Sequence, residues 1–168
     1  MAISPVDLCD IEAIKQLKAC YFRLLDTKQW GNWRALFTDD ARFEGTAQHY
    51  SGPDEFVTGT SRRLEPARTI HHGHMPEIRL LAPGRARGIW AMSDWVEFPA
   101  PQPDGPTAGQ HGFVGYGHYQ EEYRKQNGLW KIAFLRLTRL RLDPLPGPGT
   151  LHDLPKGRLW SRPDDWLG

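Results

Sequence analysis

Between Ile70 and Leu142 the chain reads as four long strands separated by two tight turns and one loop, and this run constrains the fold more than any other feature. The candidate strands are Ile70 to Leu81, Arg85 to Phe98, Phe113 to Gln126 and Leu129 to Leu142. Asn127-Gly128 is a two-residue hairpin signal, because both residues accept the positive φ angles that such turns require. Pro83-Gly84 marks a turn between the first two strands. Residues 99–112 hold four prolines and three glycines and read as a loop joining the middle pair.

A sheet of that length needs a cover for its apolar face, and the first third of the chain supplies one. Leu8, Ile11, Ile14, Leu17, Tyr21, Leu24 and Leu25 recur at three- and four-residue steps, which predicts a helix from Asp7 to Asp26. Ser4-Pro5 is its start signal. A second helix is expected over Gln29 to Phe37, a short strand over Ala41 to Glu44, and a third helix beginning at Gly52-Pro53 with acids in its first turn. The expected class is α+β: three N-terminal helices packed on a strongly curved antiparallel sheet, with a pocket between the layers.

The 168 residues carry a net charge of +1 with both signs interspersed, so neither nucleic acid nor an anionic membrane is an expected partner. No apolar run approaches the ~20 residues of a membrane span. Charged residues from Asp7 to Lys18 argue against a signal peptide. Cys9 and Cys20 fall about 16 Å apart along one helix, too far to bridge. A soluble, cytoplasmic protein is the expectation. Residues 1–142 are expected to form one domain. Residues 143–168, rich in Pro and Gly with Trp160 and Trp166 near the end, read as a tail wrapping a surface or a neighbouring subunit rather than a second domain.

The chemistry-bearing stretch is His71-His72-Gly73-His74, at the start of the first long strand. Histidine gives and takes protons near neutrality. His72 and His74 share one side of a strand, but a zinc site wants three or four ligands, and neither cysteine is near. His111 and His118 join them only if folding brings them there, so no metal is expected. Asp26 lies at a helix C-terminus, where the dipole disfavours a carboxylate, and therefore needs another partner. Asp94 lies among Trp90, Met92, Val96 and Phe98 and needs pairing as well. Each of these residues has a structural alternative: Tyr21 as core, Asp26 as a cap, Asp94 as a plain ion pair with Arg139.

Several separated motifs resemble the SnoaL-like branch of the NTF2-like superfamily. They are Asp10 to Lys18, Tyr21 to Asp26 with Trp30, His71 to Ile78, Gly88 to Asp94, and Tyr123 to Ile132. Within the branch they are most similar to bile-acid 7-alpha dehydratase, and more distantly to scytalone dehydratase and hexachlorocyclohexane dehydrochlorinase. The resemblance covers most of residues 7–142 but neither the 99–112 loop nor the tail, so it does not extend to the substrate. It implies a cone-shaped α+β fold and a homo-oligomer, trimer or dimer. It also places functional positions on Tyr21, Asp26, His71, Asp94 and Arg139.

Those residue types suit elimination of water beside a carbonyl. His71 is the expected base, with Asp26, Asp94 or both accepting from its other ring nitrogen. Tyr21 donates to the leaving hydroxyl or the enolate oxygen. Arg139 holds Asp94 ionised or anchors a polar substrate group. Trp30, Trp90, Tyr116 and His118 are expected to line the substrate pocket, which suits a cyclic, apolar small molecule. The chemistry asks for no cofactor. The rivals are an isomerase or hydrolase on the same scaffold, and a non-catalytic small-molecule-binding module.

Overall fold

A computed structural model describes residues 4–46 and 49–147. Its elements run α1 (Pro5–Asp26), α2 (Trp30–Arg34), β1 (Phe37–Glu44), α3 (Pro53–Leu64), β2 (Arg68–Ala82), β3 (Arg85–Glu97), β4 (Gly112–Gln126) and β5 (Leu129–Leu145). They build one α+β unit in which a single five-stranded sheet, ordered β1-β5-β4-β3-β2, carries the helices on one face.

Helix α1 starts where the sequence places it, and for a local reason. The Ser4 hydroxyl accepts from the Asp7 N–H while the Asp7 carboxylate accepts from the Ser4 N–H, a reciprocal cap. Its stripe is buried from Ile14 onward, through Tyr21, Leu24 and Leu25. Leu8, at the start of the stripe, stays exposed. Lys18 lies on the same stripe and is fully buried, which the apolar pattern does not foresee.

Three expectations need correction. The second helix is only Trp30–Arg34, because Phe37 turns into the sheet as the first residue of β1. The sheet is not wholly antiparallel: β1 runs parallel to β5, with Phe37 beside Ile132 and Phe43 beside Leu135. Alternation within an edge strand encodes which face is buried, not the direction of its neighbour. Asp143, Pro144 and Leu145 continue β5 rather than beginning a tail, and Trp160 and Trp166 lie outside the described residues.

The other three pairings are antiparallel and long. Asn127 and Gly128 both have positive φ, at +51° and +82°, so the hairpin signal is met by its mechanism. Register shifts in β2–β3 and β4–β5 bend the sheet around the helices. Gly73, inside the histidine stretch, lies against the Phe22 ring of α1. A Cβ there would sit 2.6 Å from the Phe22 ring, so glycine lets the helix lie directly on β2. Between the layers Trp33 packs against Tyr21, Phe37 and Phe56, and Phe43 stacks on Phe56 with centroids 3.8 Å apart. No helix among the described residues is long and apolar enough to cross a membrane.

Candidate active site

His71 sits on the inner face of β2, directly across from Asp94 on β3, which in turn pairs with Gly115 on β4. Both side chains are buried. The last residue of α1, Asp26, reaches this corner from the helix layer. Its Oδ1 accepts from His71 Nδ1 at 2.6 Å and from the Thr69 hydroxyl at 2.9 Å. Its Oδ2 accepts from the His71 backbone N–H at 2.8 Å. That set of donors answers the unfavourable position at the helix end. It also fixes the imidazole tautomer, with the proton on Nδ1 and the lone pair on Nε2.

Of the two carboxylates expected to serve His71, only Asp26 holds it. Asp94 stands 3.8 Å from Nε2, beyond hydrogen-bonding length, and is engaged instead by Arg139 in a two-pronged pair at 2.6 Å and 2.6 Å. Burial lowers the affinity of the Arg139 guanidinium for its proton, but the Asp94 hydrogen bonds and charge outweigh this and raise it overall. One extra residue near Leu140 in the β4–β5 register lets Arg139 and Leu142 share the inner face while Arg141 turns outward.

Gly115 lies between the two charges. A methyl there would overlap both Arg139 Nη1 and Asp94 Oδ1, so the pair exists because β4 has no side chain at that point. Gly115→Ala is therefore expected to separate Asp94 from Arg139 and to cost about 1–3 kcal/mol of stability by overpacking, read by chemical denaturation. A variant as stable as the parent would contradict this.

Tyr21 faces the same cavity from α1, with Tyr119 of β4 beside it at a centroid distance of 6.0 Å. Each phenol bears on the ionisation of the other. Burial first, then Tyr119 and the Glu121 carboxylate, push the Tyr21 phenol well above its ordinary range. It therefore keeps its proton at neutral pH. Behind the two phenols Lys18 Nζ lies 3.9 Å from the Tyr21 centroid and 3.7 Å from that of Tyr119. It donates to Glu121 at 2.5 Å, and Glu121 also accepts from the Tyr123 hydroxyl.

Beyond this polar corner the cavity wall is oily, formed by Leu25, Trp33, Phe56, Leu64, Val96, Phe113, Leu135 and Leu137, with Arg63 among its lining residues. The indole N–H of Trp33 is the one buried side-chain donor without a partner among the described residues.

Tyr21, Asp26, His71, Asp94 and Arg139 thus converge on one corner. The four expected pocket residues do not join them, and each has a reason. Trp30 packs on Trp33 and donates to Glu65 at 2.6 Å, outside the cavity lining. Trp90 is buried deeper in the core, donating to Tyr123 at 2.8 Å. Tyr116 is exposed and His118 shares its outer face, because the inner face of β4 is carried by the odd-numbered residues. Tyr119 was the residue to find. Glycines at 115 and 117 blank out the inward positions, so the sequence alternation points to the wrong parity. His72 stands on the outer face opposite Ser93. His74 is exposed beside Ser93, and no three metal-ligating side chains converge among the described residues.

Comparisons with known proteins agree with this architecture. The chain is 27% identical over 152 residues to a probable cyclase from Gibberella zeae, covering 83% of this chain and 95% of that protein. It is 25% identical over 157 residues to hexachlorocyclohexane dehydrochlorinase 1 from Sphingobium indicum, covering 89% and 92%. The crystal structure of a type 2 hexachlorocyclohexane dehydrochlorinase superposes with a TM-score of 0.70 over 84% of this chain and 92% of that one; at 22% identity this is a likeness of fold. The SnoaL-like domain family matches residues 6–136, and the chain belongs to it.

Proposed function

We propose that this protein is a cofactor-independent lyase of the dehydratase kind, taking water from a cyclic, largely apolar hydroxy-ketone. The observation that carries the reading is the Asp26–His71 hydrogen bond inside an oily cavity. A carboxylate on Nδ1 leaves Nε2 as the base and stabilises the imidazolium that forms. In the proposed step Nε2 takes the proton from carbon beside the carbonyl. The released electron pair forms the carbon–carbon double bond as the bond to the leaving hydroxyl breaks. Tyr21 steadies the developing oxygen charge by hydrogen bonding, and the proton held on His71 returns to the departing hydroxide as water. Asp94 and Arg139 give the corner a fixed, paired charge. A substrate acceptor would also satisfy the Trp33 indole N–H.

Two relatives, named a probable cyclase and a dehydrochlorinase, support a small-molecule-converting enzyme. Residues 1–142 as the functional domain and assembly into a homo-oligomer through the outer sheet face belong to the same reading. On that face Ile70 and Trp95 form an exposed cross-strand pair, with Tyr116 nearby.

The test is a thermal-shift screen of hydroxylated cyclic ketones, steroids and polyketide rings, followed by mass analysis of every stabilising compound after incubation. A ligand that binds only the native state raises its melting temperature. At least one is expected to return lighter by one water. Recovery of all of them unchanged would make the protein a carrier, and a product of unchanged mass would make it an isomerase.

A further inference from the structure

We propose that Lys28 is a positioning residue for the His71–Asp26 pair, acting through the hydroxyl of Thr69; this rests on the reading of His71 as the base. Two independent observations point to it. The first is the backbone. Helix α1 ends with the Gln29 N–H donating to the Leu24 carbonyl and the Lys28 N–H to that of Leu25, an arrangement that puts Lys28 in the left-handed region at φ +59°. Glycine is the usual occupant of that position, because any Cβ is strained there. The chain keeps a long, charged side chain where none is the easier choice.

The second observation is where that side chain goes. Lys28 Nζ donates to Thr69 Oγ1 at 2.7 Å, and Thr69 donates to the same Asp26 oxygen that receives His71 Nδ1. A hydroxyl has one proton to give. With the ammonium occupying its lone pair, the Thr69 proton is directed at Asp26. The ammonium also places positive charge beside a carboxylate that the end of α1 disfavours.

The groups facing Lys28 are Asp26 from α1, the Trp30 ring at 5.8 Å from α2, Glu65 at the end of α3, and Thr69 from β2. Burial pulls its amine down to about 8, while the Asp26 and Glu65 carboxylates oppose the drop. Once deprotonated, the amine becomes an acceptor, and the Thr69 proton can turn away from Asp26. The base is therefore held most firmly below that pH.

The experiment needs no substrate. Nitrogen-15 NMR of the His71 side chain reports which ring nitrogen carries the proton, and it is applied to the full chain and to Lys28→Gly, Lys28→Arg and Asp26→Asn. The wild type at neutral pH is expected to hold the proton on Nδ1. Lys28→Gly is expected to shift the tautomer ratio by roughly tenfold toward Nε2–H, the worth of one charge-assisted hydrogen bond. Its melting temperature should be equal or higher, since glycine relieves the strained backbone. Lys28→Arg should keep the wild-type ratio. Raising the pH through about 8 should loosen the wild-type ratio and leave Lys28→Gly unmoved. If Asp26→Asn scrambles the tautomer and Lys28→Gly does not, the role given to Lys28 is wrong while the pair stands. If Asp26→Asn changes nothing, the reading of the pair itself falls.

Discussion

His71→Ala is expected to lower turnover of any converted substrate by about 10²–10⁴-fold, the usual worth of a positioned proton transfer. Binding should survive. The imidazole is one small part of a cavity whose grip on an apolar ligand comes from Trp33, Phe56, Val96, Phe113 and the leucines. Asp26 keeps the His71 backbone N–H and the Thr69 hydroxyl as donors after the ring is gone, so the fold should persist. Steady-state rates and ligand-induced thermal shifts on the same preparation separate the two effects. A variant that still turns over at the parent's rate would remove His71 from the chemistry. One that loses binding in proportion to rate would make it a contact residue.

Lys18→Met is expected to be strongly destabilising. Lys18 and Glu121 bond at 2.5 Å with both side chains fully buried, and the lysine sits on the faces of Tyr21 and Tyr119. Burial pulls the Lys18 amine below its ordinary range even with Glu121 beside it, a sign of how much the site resists charge. Deleting one partner strands the other, and the loss is about 3–5 kcal/mol. For a chain of this size that is about 10 °C or more in melting temperature. The double variant Lys18→Met, Glu121→Gln removes both charges and leaves an acceptor for Tyr123, so it should recover much of the loss. Calorimetry on the parent, the single and the double variants checks this. A single variant within about 2 °C of the parent would mean the pair contributes almost nothing.

Much of the frame was legible in the sequence because local chemistry carried it. The Ser4 cap, the 3.6-residue stripe of α1, the Pro53 start of α3 and the Asn127-Gly128 turn each have a mechanism acting within a few residues, and each lies where that mechanism puts it. What was not legible depends on distant partners. Lys18 reads as a solvated charge until Glu121, 103 residues later, is seen to meet it. The parallel pairing of β1 with β5 has no local signature at all.

The candidate site divides in the same way. The need of Asp26 for a partner could be inferred from its place at the end of a helix, and His71 supplies it. The choice between Asp26 and Asp94 could not, since it turns on a distance of 2.6 Å against 3.8 Å. Tyr116 stands out in the sequence as an aromatic and His118 as an imidazole, beside Gly115 and Gly117. Those glycines mark the inner face, where Arg139 and the neighbouring backbone leave no room for a side chain.

Proton abstraction can be watched without any leaving group. A cyclic ketone that lacks the hydroxyl but stabilises the protein in the thermal screen is incubated in deuterium oxide, and deuterium entering the carbon beside its carbonyl is followed by mass spectrometry. Uptake is expected with the parent protein and not with His71→Ala. Equal uptake in both, or none above the uncatalysed rate in either, would contradict the assignment of residue 71 as the base.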